Sequence, residues 1–184
     1  MAKCPICSTK KGKRQCLINE DPVCSLCCGK TRTDDLCIEC NFYQKPKRKY
    51  NAVPAYSTTD MSNNMDLESY GNAIEGALCS YDIQNENILK DNDAIRIIEL
   101  LMDMYHFNDL EIDTDKEIIR NGVKYLDKVV KIDLQDVNIE KIVKILGVIY
   151  FVAKRRTKMG SEYMNIIHQY VGQRVDTGIR TLRM

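Results

Sequence analysis

Nine cysteines stand in the 184 residues of this chain, and eight of them fall between Cys4 and Cys40. Six form three Cys-x-x-Cys pairs, Cys4/Cys7, Cys24/Cys27 and Cys37/Cys40, while Cys16 and Cys28 stand singly and Cys79 lies far downstream. Two residues between ligands let one tight turn offer both sulfurs to a single ion, at Zn–S distances of about 2.3 Å. Pro5 presets the backbone of the first such turn. Four thiolates close a tetrahedral structural site, so eight supply two Zn²⁺ sites with no position left for water or substrate. Cys27 and Cys28 are adjacent, and adjacent side chains point to different ions. The simplest partition puts Cys4, Cys7, Cys24 and Cys27 on site 1, with Cys16, Cys28, Cys37 and Cys40 on site 2. Exchange of Cys24 and Cys28 is also compatible, because residues four apart on a helical turn share a face. An all-cysteine ligand set equally suits an iron centre, which makes electron transfer a third and weaker reading.

These cysteines sit in a segment with little else to fold around. Leu17, Ile18, Val23, Leu26, Leu36 and Ile38 are nearly its whole aliphatic inventory. The folding free energy must come from the metal, at about 10 kcal/mol per structural site. The ligand order Cys4-x2-Cys7, Cys16, Cys24-x2-Cys27-Cys28, Cys37-x2-Cys40 resembles the cross-brace binuclear zinc domains of the B-box, MYND and RING types. It departs from them in having no histidine among the ligands and in its spacings. The resemblance covers residues 1–43 and implies a small zinc-stabilised platform that binds other proteins, with no ubiquitin-ligase activity implied.

The net charge of +1 averages three unlike segments: residues 1–50 carry +6, residues 51–150 carry −10 and residues 151–184 carry +5. Such asymmetry points to macromolecular partners or to contact between the parts. Eight bound thiolates with two Zn²⁺ would bring the first segment down to about +2. Lys45, Lys47, Arg48 and Lys49, beside Phe42 and Tyr43, form a basic run with aromatics suited to phosphates and bases. The plainer reading is a solvated linker. Lys10, Lys11, Lys13 and Arg14 add to the basic character. A second cationic cluster, Lys154-Arg155-Arg156 with Lys158, sits where a helix C-terminus favours cations. Arg174, Arg180 and Arg183 either extend that surface or pair with the acidic middle.

Residues 44–65 read as a basic, flexible linker, with Pro46 and Pro54 and no apolar period. From residue 66 to 184 the pattern is that of an all-α bundle of about five helices. Leu67, Tyr70, Ile74, Ala77, Leu78 and Tyr81 mark one face of the first. Asp91–Asp93 cap the second. Thr114-Asp115-Lys116-Glu117 reads as a capping box opening the third. Asn138 caps the fourth, whose Ile142–Ala153 stretch is apolar nearly all round and belongs at the bundle centre. Ser161-Glu162 opens a fifth, and the tail from Arg174 shows no period. His106 and His168 read as ordinary partly buried residues, and Cys79 as a small core side chain.

No phosphate loop, nucleophile–base pair or His-x-x-x-His motif is present, so no enzyme and no small-molecule substrate are expected. The expected function is a non-enzymatic zinc-binding adaptor with a protein partner, its helical domain offering a second interface or dimerising. Nucleic-acid binding is the alternative. No stretch is long and apolar enough for a signal peptide or a membrane span, and reduced thiols place the chain in the cytoplasm. The oligomeric state is left open by the sequence.

Overall fold

A computed structural model describes residues 3–37, 39–43 and 48–182. The chain divides into two compact units, Met1–Arg48 and Lys49–Met184, with eight α-helices among the described residues.

In the first unit, strands β1 (Arg14–Gln15) and β2 (Pro22–Val23) pair antiparallel, Arg14 opposite Val23, and lead into helices α1 (Ser25–Thr31) and α2 (Asp34–Cys37). Apart from cysteines, Val23 is the one buried side chain bearing a hydrophobic group among the described residues here. Its core is Val23 with Cys4, Cys24 and Cys27, flanked by Cys7, Cys16 and Cys28. The larger apolar residues, Leu17, Ile18, Leu26 and Leu36 among them, face solvent.

The second unit begins with a segment expected to be linker. Residues 44–47 lie outside the described residues, but Tyr50–Ala52 form a 3₁₀ turn and Thr58–Asn63 form helix α3. Val53 is buried in the core, with Tyr50 and Tyr56 packed against it. Gly147 makes this possible: a Cβ there would stand 2.7 Å from the Pro54 carbonyl oxygen, so only glycine lets the chain lie so close. A capping box forms at Ser57, whose hydroxyl accepts from Asp60 N–H while the Asp60 carboxylate accepts from Ser57 N–H.

Helices α4 (Met65–Gln84), α5 (Asp91–Tyr105), α6 (Glu117–Asp133), α7 (Ile139–Arg156) and α8 (Glu162–Tyr170) build the bundle. α7 packs against α5, α4 and α8, burying Ile142, Ile145, Leu146, Ile149 and Ala153 as its apolar run requires. Asn138 caps α7 by accepting from Glu140 N–H at 2.7 Å. Two expected caps differ. Thr114 does not open α6, which starts at Glu117; the Thr114 carbonyl is taken by Arg120 at 2.6 Å, and Lys116 reaches across to Asp93 at 2.7 Å. Asp91 caps a helix other than its own. Its carboxylate, fully buried at 0% exposure, accepts from Tyr163 and Met164 N–H at 3.1 and 3.0 Å, at the start of α8.

The unit is not purely helical. After α8, Gln173–Asp176 (β3) and Ile179–Thr181 (β4) form an antiparallel hairpin that turns through Gly178 at φ +70°. Ser80 donates to the Arg174 carbonyl, and Arg174 pairs bidentately with Asp133 at 2.6 and 2.7 Å, both side chains largely buried. That guanidinium holds the Asp133 carboxyl below its ordinary range, so the stability it gives is present above the unfolded carboxylate pKa and is lost as pH falls through the lowered value. Arg174→Gln should cost about 3 kcal/mol by leaving the buried Asp133 carboxylate without its cation, with only the Thr177 hydroxyl still donating to it. Amide exchange in residues 175–181 should then speed up more than in α5; unchanged hairpin protection would remove this anchor from the account.

Burial matters in the opposite sense at Glu75. It accepts from the Tyr163 hydroxyl at 2.9 Å, yet burial pushes its carboxyl up to about 7. A raised carboxyl favours folding fully only below the unfolded pKa, and the advantage disappears as pH rises through 7. Glu75→Gln keeps the acceptor and removes the ionisation. Its stability relative to the native chain should therefore grow by about 2–3 kcal/mol between pH 5 and pH 8 in denaturant titrations. A pH-independent difference would rule out ionisation as the cause.

Candidate metal centre

The first unit assembles its four central thiols from two local structures. Cys4 and Cys7 sit on a turn closed by Ser8 N–H to the Cys4 carbonyl at 2.8 Å and by Cys4 N–H to the Lys10 carbonyl at 2.7 Å. Ser8 adopts a left-handed φ of 54° to complete it. Cys24 and Cys27 come from the start of α1: Cys24 is its N-cap, and its sulfur accepts from Cys27 N–H at 3.5 Å. The hairpin of β1 and β2 brings the second pair back to the first. A Cβ on Gly12 would collide with the Pro22 carbonyl, so this crossing demands glycine.

The four sulfurs of Cys4, Cys7, Cys24 and Cys27 all lie within 4.8 Å of one another. The Cys7 and Cys24 sulfurs are 3.9 Å apart. Four sulfurs about 2.3 Å from a central ion would stand about 3.8 Å apart, so the donors fit one tetrahedral metal ion. Without a cation such crowding is electrostatically frustrated. Cys27 is pushed up to about 12, first by its hydrogen bond with Cys24 and then by burial. Cys7 is drawn down to about 5, chiefly by hydrogen bonding to Thr9. One dication among the four sulfurs would stabilise all of them as thiolates.

Cys16, Cys28, Cys37 and Cys40 do not come together in this way: among the described residues, the group within 4.8 Å is the first one. Cys28, one position beyond Cys27, instead receives Arg14 at 3.7 Å. Burial alone would raise its thiol, but Arg14 and Arg32 together hold it lowered. The same guanidiniums lie over aromatic rings, Arg14 at 5.3 Å from the Phe42 centroid and Arg32 at 5.7 Å from that of Tyr43. Phe42 and Tyr43, expected to stack on bases, thus already meet the chain's own cations. Lys45 and Lys47 lie outside the described residues, Arg48 is partly buried, and Lys49 is exposed ahead of the 3₁₀ turn.

The remaining titratable candidates are accounted for by packing. Cys79 is fully buried, and burial pushes its thiol up to about 12. His168 is buried against Asp82 at 2.8 Å, whereas His106 is exposed, with its ring edge-on to Phe107. No helix among the described residues is long and apolar enough to cross a membrane. No family model, curated protein or solved structure matches this chain.

Proposed function

We propose that this chain is a non-enzymatic zinc-binding adaptor whose N-terminal unit, stapled by Zn²⁺ at Cys4, Cys7, Cys24 and Cys27, docks a protein partner. The observation that carries the reading is the cysteine core. Metal ligands occupy the positions where a small domain would bury aliphatics, and Leu26 and Leu36 are left 56% and 62% exposed. Apolar side chains presented on a rigid metal-held frame are suited to a partner surface. Zinc is favoured over iron because closed four-thiolate sites are its ordinary structural use. Thiolate ligands of this kind belong to a reducing compartment, which supports a cytoplasmic placement.

A second zinc at Cys16, Cys28, Cys37 and Cys40 belongs to the same proposal and rests on ligand count. Binding it requires the four thiols to close on the ion and Arg14 to leave Cys28. Elemental analysis separates the cases. Two zinc per chain, falling to one in Cys28→Ser, supports the second site; one zinc unaffected by Cys28→Ser removes it and leaves the first.

The adaptor role is tested with Leu26→Asp/Leu36→Asp in the full chain. The double variant should keep its zinc but lose a protein captured by the wild type from native extract, and that capture should survive nuclease. Release by nuclease, with loss of binding that steepens with salt, would transfer the function to nucleic-acid binding through Lys10, Lys11, Lys13 and the basic run.

A further inference from the structure

The cationic cluster at the C-terminal end of α7 has a role that helix-end electrostatics does not exhaust. A cavity of about 650 Å³ opens between the end of α7, the start of α8 and Thr58 of α3, lined by Arg155, Arg156, Lys158, Glu162, Phe151 and Ile166 among others. Its size lies within the range of small-molecule sites, about 300–1,000 Å³. Cations are favoured at a helix C-terminus, but the Ala153 carbonyl in the last turn of α7 does not need these side chains. The Ala153 carbonyl already accepts from both the N–H and the hydroxyl of Thr157, at 3.0 and 2.8 Å. Among the described residues, the side chains of Arg155, Arg156 and Lys158 make no hydrogen bond and no ion pair, and all three are exposed.

One acid lines the cavity, and it is committed elsewhere. The Glu162 carboxylate accepts four backbone N–H groups, from Lys158, Met159, Gly160 and Ser161, at 2.8 to 3.2 Å. It therefore shapes the α7–α8 connector and forms no ion pair with the three cations beside it. Two guanidiniums offer planar, bidentate donors matched to phosphate oxygens, and Lys158 adds a point charge. Beside them the wall is apolar: Phe151 is 55% exposed, with Val152 and Ile166 next to it. A free inorganic anion would leave that wall unused.

We propose that this cavity binds a small organic phosphate of the nucleoside-phosphate class, its phosphates on Arg155, Arg156 and Lys158 and its ring on Phe151. The site lies wholly within the helical unit and is independent of the metal centre.

The test is calorimetric titration of the full, metal-loaded chain with ADP, pyrophosphate and adenosine, with zinc content checked afterwards. Saturable binding of ADP, tighter than pyrophosphate and absent for adenosine, is the expected result. Arg155→Gln/Arg156→Gln should weaken ADP by about tenfold or more, since charge-assisted hydrogen bonds are lost. Lys124→Gln/Lys128→Gln removes two exposed, unpaired charges from α6 and should leave the affinity unchanged. All four positions are exposed, so folding is not at stake. No saturable binding of ADP up to about 5 mM would overturn the proposal, as would equal loss in the α6 variant or binding confined to single-stranded oligonucleotide.

Discussion

Stripping the metal from the tetracysteine cluster should unfold the N-terminal unit and leave the helical unit folded. Among the described residues the first unit has one buried aliphatic side chain, Val23, beside its cysteines, and two two-residue strands cannot hold it without a core. A structural zinc site contributes about 10 kcal/mol, more than such a module could otherwise muster. The second unit has a core of its own, which runs from Val53 to Val171 through helices α4–α8. Hydrogen exchange with a strong chelator should therefore show full loss of protection at Cys4–Thr31, with α4–α8 unchanged. Cys24→Ser should reproduce that loss through the missing thiolate alone, because a serine hydroxyl can still accept from Cys27 N–H and cap α1. Cys79→Ser should not.

The largest effect expected inside the bundle is at Asp91. Its buried carboxylate is the partner of two main-chain N–H groups at the start of α8, themselves buried with Tyr163 at 0% and Met164 at 2% exposure. Asp91→Ala strands both donors, at about 1–3 kcal/mol each, for a total of about 2–6 kcal/mol. Asp91→Asn keeps one acceptor oxygen and should recover roughly half. Equilibrium denaturation gives the difference directly, and a loss below about 1 kcal/mol for the alanine variant would show that water replaces the carboxylate there.

How much of this was legible beforehand depends on the range of each interaction. Asn138 capping α7 and the all-round apolar face of α7 are local, and periodicity with a capping residue reveals them. Ser57-x-x-Asp60 is an equally local capping signal; Pro54 and the polar composition around it masked the short helix it opens. Asp91 reads locally as a cap of its own helix, but its partners lie more than seventy residues away, and no local pattern carries that information. The hairpin of β3 and β4 is short and mostly exposed, so it lacks alternation; Thr177-Gly178 between Val175 and Ile179 was its only sign. In the cysteine module, spacing identified the pairs Cys4/Cys7 and Cys24/Cys27 and made their union the simplest partition, with an exchange of Cys24 and Cys28 left open. It did not anticipate that Arg14 would occupy Cys28, because ligand counting treats every thiol as unengaged.

Whether Cys4, Cys7, Cys24 and Cys27 together hold a structural metal ion is decided by native mass spectrometry of the purified full chain. Zinc should be bound to the wild type, retained in Cys79→Ser, and in Cys24→Ser lost together with the compact form of the N-terminal unit. A wild-type chain that carries no metal yet keeps that unit compact, or a full metal complement surviving Cys24→Ser, would contradict a shared metal site at these four cysteines.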